Sequence, residues 1–452
     1  MSRRTDHQRR NKNRASLHFN DEGGSWYALD NAAIIMPAVS SGSATYLFRI
    51  SATLDAPVNL RALEAALERV ARRFPYFVVQ LGKGFFWHYL ETARKPLRVE
   101  ADGRSPCQDF DMHRKGTILM RVRARRSTIA CEFSHIITDG TGGMRFLKNL
   151  LAEYFRILEP ALPGLDPTAL AVDPDFYDLD EPPQADEMED SYNLHYPEGF
   201  PFPPKEAGAW HIDGIFLPEG EYRTITASIP LEACLGAARH HGVSLTEFLA
   251  AVYFEALQEL WLGTRPRPRR SHLAVEIPVN MRAFLPSRTS RNFSLMVHPA
   301  IDMRLGRREL PELISTVHHQ ARNETTERNL KRHIARNVLG GRAAYVRLLP
   351  LGLKSFLMRS FYEYFGMGRI SGELSNLGPV RMPEAIAGRI AHFDLVIAPL
   401  RAIRSGAALL SWAGELRITF SSLIAERELE RRFFVRLQSL GLPVKVECNF
   451  EE

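Results

Sequence analysis

At 452 residues, 45% apolar and 24% charged, the chain has the make-up of a globular protein too long for one core, which excludes a low-complexity or disordered class. The net charge of +6 comes without a basic stripe interleaved with aromatics on folded elements, which argues against a nucleic-acid binder. No apolar run reaches the length of a transmembrane segment, and Cys107, Cys131, Cys234 and Cys448 show neither pair nor metal spacing, so the expectation is a cytoplasmic protein with reduced thiols and no metal.

Residues 1–22 are basic with no apolar stretch after them, and read as a disordered tail rather than a secretory signal. Residues 25–40 (SWYALDNAAIIMPAVS) predict a short helix with Asp30 as its cap. Residues 44–54 alternate as a strand. In 58–75, Leu60, Leu63, Ala66, Leu67 and Val70 form one helical stripe that Pro75 ends. Strands follow around 77–90, and 116–124 with 127–134 read as a hairpin about a charged turn. An amphipathic helix, GGMRFLKNLLAEYFRIL, comes next.

Residues 172–206 are acidic, Pro-rich and without period. They suggest an N-terminal subdomain over 23–175, a linker over 176–208 and a C-terminal subdomain over 209–452. The second half opens with a strand at 221–230 and a helix from Ser244, with Glu247 three residues on as a capping box. A strand at 272–282 follows. The basic loop TRPRPRR (264–270) reads as exposed, with an anionic ligand as a second use. The segment 349–366 is apolar and aromatic and carries Lys354 and Arg359. It reads first as an ordinary core helix, with an acyl-pocket lining or a membrane-surface contact as alternatives.

The chemistry concentrates in CEFSHIITDGTGGMRF (131–146). His135 ends an apolar strand, where a side chain with a pKa near neutrality suits a general base. Asp139 sits in the following turn, free to bond backbone amides or pair with an arginine. Gly140, with Gly142 and Gly143 close by, permits unusual backbone angles and close approach of substrate to His135. The competing reading is a structural histidine at a sheet edge followed by a Gly-rich turn. Cys131 shares the strand face of His135, but an apolar strand cysteine is read as core rather than as a nucleophile.

HIITDG, set between a strand and an amphipathic helix, resembles the HxxxDG signature of the CoA-dependent acyltransferase superfamily. That superfamily includes chloramphenicol acetyltransferase, plant BAHD enzymes, bacterial alcohol acyltransferases and condensation domains of peptide synthetases. Three more stretches are similar in the same order: SWYALDNAAIIMP (25–37), IPVNMRAFLPSRTSRNFS (277–294) with Arg282, Pro286 and Asn292, and GELSNLGPV (372–380). Ser134 stands where condensation domains usually carry a second histidine, and the BAHD Asp-Phe-Gly-Trp-Gly hallmark is absent, so the bacterial alcohol-acyltransferase branch fits best.

The resemblance implies an α/β fold of two chloramphenicol acetyltransferase-like subdomains, each a mixed β-sheet covered by helices, with a tunnel at their interface. It implies acyl-CoA as co-substrate, no metal, and a small alcohol or amine as acceptor, attacked directly in a ternary complex. His135 would be the general base, Asp139 and Gly140 would shape the motif, and Arg282 would pair with Asp139. Ser375 is the candidate oxyanion donor, Asn376 a residue that holds its segment, and Asn292 a packing or turn residue. The alternatives are a free-standing condensation-type enzyme fed by an acyl carrier protein, a catalytically idle binder of acylated ligands, and thioester hydrolysis by the same base. No cofactor-binding residues are assigned, although the arginines at 265–270 are a candidate contact for the donor's phosphates.

Overall fold

A computed structural model describes residues 18–19, 25–40, 45–103, 105–108, 110–160, 164–165, 170, 173–201, 206–342, 348–361, 367–401 and 403–448. Most of the predicted tail, 1–17 and 20–22, lies outside the described residues, as do 202–205 of the acidic segment and 362–366. His18–Phe19 pair antiparallel with Ser25–Trp26.

The first elements are β1 (Ser25–Ala28), β2 (Leu47–Leu54), α1 (Leu60–Arg73), β3 (Val79–Lys83), β4 (His88–Thr92), β5 (Val99–Ala101), β6 (Met120–Arg125), β7 (Thr128–Ser134) and α2 (Gly140–Leu158). The helix expected over 25–40 is corrected. SWYA pairs as β1 with β4, and helical turns begin only after Asp30, whose carboxylate accepts the Ala33 N–H at 2.9 Å. α1 starts at Leu60 because the Asn59 side chain accepts the Ala62 N–H at 3.2 Å. That phase leaves Leu60 56% exposed and buries Ala62, Leu63, Ala66, Leu67 and Val70 instead.

The second half contains β8 (Arg223–Pro230), α3 (Leu231–His240), α4 (Leu245–Gly263), β9 (His272–Asn280), β10 (Ser294–Val297), β11 (Ala300–Asp302), α5 (Leu310–Glu324), α6 (Glu327–Arg342), α7 (Leu351–Phe361), β12 (Gly372–Pro379), β13 (Ile390–Ile397), β14 (Ser405–Trp412), β15 (Glu415–Ser422), α8 (Glu428–Ser439) and β16 (Lys445–Cys448). The capping box at the start of α4 is formed in both directions, Ser244 with Glu247.

Two mixed sheets carry the molecule. One runs β13-β2-β7-β6-β5, so a strand from late in the sequence completes the sheet that holds His135. The other runs β10-β9-β12-β14-β15-β8-β16, with β11 also on β9 and β12 parallel to both neighbours. Strand alternation splits the first sheet's faces. Phe48, Ile50, Ile129, Cys131 and Phe133 join the apolar core. The opposite face carries Glu132, ringed by Arg49, Arg121 and Arg123. In the second sheet Leu273, Val275, Leu374 and Leu409 face a second core built on α4.

Within the acidic 176–208 segment, Glu187 anchors the chain to the first sheet's helices. Glu187, fully buried, accepts two hydrogen bonds from the Arg73 guanidinium (2.8 and 2.7 Å) and one from the Tyr76 hydroxyl at 3.1 Å. The preceding Asp175 takes Arg145 and Lys148 from α2 at 3.0 and 2.9 Å. The core-helix reading of 349–366 is also corrected. In α7 Leu351 and Lys354 are buried, while Leu353, Phe356 and Leu357 face solvent. Among the described residues no helix is long and apolar enough to cross a membrane.

Candidate active site

The His135 segment is fixed before its side chain does anything. β7 ends at Ser134, the His135 N–H donates to the Tyr46 carbonyl at 3.0 Å, and α2 begins at Gly140. Asp139 is the N-cap of α2, its Oδ1 accepting from the Gly142 N–H at 3.2 Å. Its other oxygen, Oδ2, takes the Arg282 guanidinium at 2.8 Å and the Phe293 N–H at 2.8 Å. Both side chains are nearly buried, at 7% and 8% exposure. Burial alone would raise the Asp139 carboxyl, but Arg282 and the two amides outweigh it and hold it below its ordinary value. Arg282 is further spread over the Thr289 and Arg291 carbonyls at 3.0 and 2.6 Å, so one guanidinium ties the 282–293 loop to the motif.

A second clamp holds the other side of the loop. The Asn292 amide donates to the His135 carbonyl at 2.7 Å and to Asp30 Oδ2 at 3.0 Å. Arg291 lies 3.5 Å from that same oxygen and donates to the Ala28 carbonyl at 2.8 Å. Burial pushes the Asp30 carboxyl up to about 6, with Arg291 and Asn292 opposing the rise. Sequence reasoning gave Asp30 only a local capping role. Its partners are 262 residues away, and no short-range signal reports such a pairing.

The glycines of the motif work through space rather than backbone angle. Gly140 and its neighbours do not take the left-handed conformation, which corrects the expectation of unusual angles. A Cβ on Gly142 would lie 2.1 Å from the Ser290 carbonyl oxygen and 2.2 Å from Thr138 Oγ1, two atoms already bonded to each other at 2.6 Å. One on Gly143 would strike Phe48 at 2.8 Å. Protein, not substrate, fills that space. Gly142→Ala is therefore expected to cost about 1–3 kcal/mol by forcing apart backbone that cannot yield, read as a lower midpoint in urea unfolding. An unchanged midpoint would contradict this packing.

The His135 imidazole is half-buried and stacks on Phe48, ring centroids 4.6 Å apart. Burial lowers its pKa below the ordinary histidine value, only partly offset by Asp139, the Thr138 backbone and Asn292. At neutral pH the ring is uncharged and able to accept a proton. Cys131 is fully buried among core side chains, and burial pushes its thiol far up, so no thiolate is at hand beside the histidine.

Ser375 lies on β12, opposite Ala408 of β14. Leu374 faces the second core, so Ser375 and Leu377 share the other face. Leu377 reaches to 3.0 Å from where a Cβ on Gly140 would sit, which turns that face toward the motif. Among the described residues the Ser375 hydroxyl has no hydrogen-bond partner. The Asn376 amide does: it donates to Thr246 at 2.8 Å, and its oxygen accepts from the Gly378 N–H at 2.8 Å, where β12 is bulged. The structure thus gathers His135, Asp139, Gly140 and Arg282 directly, sets Ser375 on the strand face opposite them, and uses Asn376 to hold that strand. Three of the four arginines at 265–270 make local hydrogen bonds, and all four are exposed. Arg265 and Arg267 donate to carbonyls at the C-terminus of α4, and Arg270 to the Ala209 carbonyl.

No family model matches the chain, and no curated protein matches it. Solved structures do. The starter condensation domain of rhizomide synthetase, in complex with C8-CoA and Leu-SNAC, is 14% identical, with 92% of this chain and 94% of that one covered and a TM-score of 0.59. The trichothecene 15-O-acetyltransferase of Fusarium sporotrichioides is 11% identical over 93% and 96%, with a TM-score of 0.56. Polyketide synthase associated protein 5 of Mycobacterium tuberculosis is 14% identical over 89% and 97%, with a TM-score of 0.53. The chain therefore has the two-subdomain α/β fold of chloramphenicol acetyltransferase-like acyltransferases and condensation domains.

Proposed function

We propose that the protein is an acyltransferase that moves an acyl group from an acyl-CoA thioester to the hydroxyl of a small acceptor, or to an amine. The observation that carries the reading is the doubly clamped His135 segment. A neutral, half-buried imidazole sits at a strand end whose geometry is fixed by Asp139–Arg282 on one side and Asn292–Asp30 on the other.

In this reading the two subdomains enclose a tunnel that admits the donor from one side and the acceptor from the other. His135 takes the acceptor's proton as its oxygen attacks the thioester carbonyl. The tetrahedral intermediate carries its negative charge on the former carbonyl oxygen, and the Ser375 hydroxyl donates to it. Collapse expels the CoA thiolate, which recovers the proton from His135, so no acyl-enzyme forms. Asp139 stays ionised against Arg282 and takes no proton. Exclusion of water between the subdomains favours transfer over hydrolysis. The relative solved with C8-CoA supports an acyl-CoA donor, and the trichothecene acetyltransferase supports a hydroxyl acceptor.

The test is thiol release from acetyl- and longer acyl-CoA against a panel of alcohols and amines. Release that requires an acceptor and yields the acylated acceptor supports the reading. Release indifferent to acceptor makes the protein a thioesterase. Donor turnover only from an acylated carrier protein moves it to the condensation class. The pH profile follows from the lowered His135 pKa. The base must be unprotonated, so kcat/KM is expected to stay flat across neutral pH and fall only below the ordinary histidine value of about 6.5. An acid limb centred above pH 7 would contradict the assignment.

A further inference from the structure

Six large apolar side chains are exposed around α7: Leu348, Leu353, Phe356 and Leu357 from the helix and its approach, and Phe85 and Phe86 from the tip of the β3–β4 hairpin. Phe85 and Leu348 are each 73% exposed and Phe356 66%. They belong to one surface. The Leu351 N–H donates to the Phe85 carbonyl at 2.9 Å, and Lys354 is tucked beneath, donating to the Phe86 carbonyl at 2.8 Å with its ammonium 3.3 Å from the centre of the Trp87 ring. The one cationic side chain in the middle of the helix is thus turned inward, while apolar residues at i, i+3 and i+4 are turned out. A soluble face ordinarily has the opposite arrangement.

We propose that this face docks on an anionic lipid surface. Charge supports that occupant. Residues 348–361 and the hairpin 79–89 together contain Lys83, Lys354 and Arg359 and no acidic residue. Lys83 and Arg359 are exposed beside the apolar side chains. The space beneath α7, lined by Leu29, Trp87, Leu351 and Met358, has room for about one water molecule, ≈ 20 Å³, and lies on the helix's inward side, away from the exposed apolar side chains. A helix with its apolar side outward beside an aromatic hairpin tip, flanked by Lys83 and Arg359, is suited to the headgroup–acyl boundary. The other face of α7 packs on the turns at 33–39 that follow Asp30, so the docked surface lies one layer from the clamp behind His135.

The test reads binding, not turnover, and so stands apart from the chemistry at His135. The full chain is sedimented with vesicles of phosphatidylcholine alone and with 30% phosphatidylglycerol, as wild type, as Phe85→Ser/Phe356→Ser and as Lys83→Gln/Arg359→Gln. All four substituted positions are at the surface, and urea unfolding checks that the variants keep wild-type stability. Wild type is expected on the anionic vesicles, with partition falling roughly tenfold or more in the phenylalanine variant and about fivefold per charge removed in the other. Equal sedimentation of wild type and the phenylalanine variant, or none with either vesicle, would overturn the proposal. So would a dimer in light scattering that the phenylalanine variant abolishes, or capture of an acidic carrier protein by the same face.

Discussion

Arg282→Ala is expected to destabilise the protein by about 3–5 kcal/mol, because it leaves Asp139 ionised and nearly buried with no cation. The same substitution strips donors from the Thr289 and Arg291 carbonyls. A plain loss of packing predicts a similar drop, so the pH dependence separates the two causes. In the wild-type protein Arg282 and two amides hold the Asp139 carboxyl below its ordinary value, so the pair's contribution is present above about pH 4 and is lost as pH falls through the depressed pKa. In the variant the buried carboxyl lacks its cation and its pKa rises. The folded state then binds a proton that the unfolded chain does not. The penalty should therefore shrink between pH 7 and pH 5. Urea unfolding at the two pH values measures it, and a pH-independent penalty would mean that Arg282 acts by bulk alone.

His135→Ala is expected to lower kcat by about 10²–10⁴-fold, the range for removing a positioned general base. The fold should survive, because the segment's anchors are backbone groups that the substitution keeps: the 135 N–H on Tyr46 and the 135 carbonyl on Asn292. The side chain adds its stacking on Phe48 and its interactions with Asn292, the Thr138 backbone and Asp139, none of which positions the backbone of the segment. A variant with wild-type unfolding and an unchanged KM but collapsed kcat identifies His135 as a group that acts in the transition state. A variant that unfolds in parallel with its loss of activity would make the histidine structural. Ser375→Ala is expected to be milder, since a backbone N–H or water can replace one hydroxyl donor, and kcat should fall while binding of acyl-CoA stays as it was.

What could be read in the sequence follows distance along the chain. The strand into Ser134, the turn at Asp139 and the helix from Gly140 are spelled within some twenty residues, as is the Ser244–Glu247 box. The Asp139–Arg282 pairing spans 143 residues and was reachable only through resemblance. The Asp30–Asn292 contact was not reachable at all, nor was the completion of the His135 sheet by β13, since antiparallel pairing of Asp394 with Ser51 leaves no mark in either strand. Gly142 has the same limit: the sequence reports that a glycine is present, and only the fold reports the Ser290 carbonyl against it. The apolar content of α7 likewise does not distinguish a core helix from an exposed one, because orientation depends on what the rest of the chain offers as cover.

The central claim is direct, acceptor-dependent acyl transfer assisted by His135. The measurement that bears on it most directly is parallel quantitation of free CoA thiol and acylated acceptor, with and without acceptor, in wild type and His135→Ala. One acylated acceptor per thiol in the wild type, almost no thiol without acceptor, and a joint fall of both products in the variant is the predicted result. Thiol release without acylated product, or equal rates in the two proteins, would contradict the account.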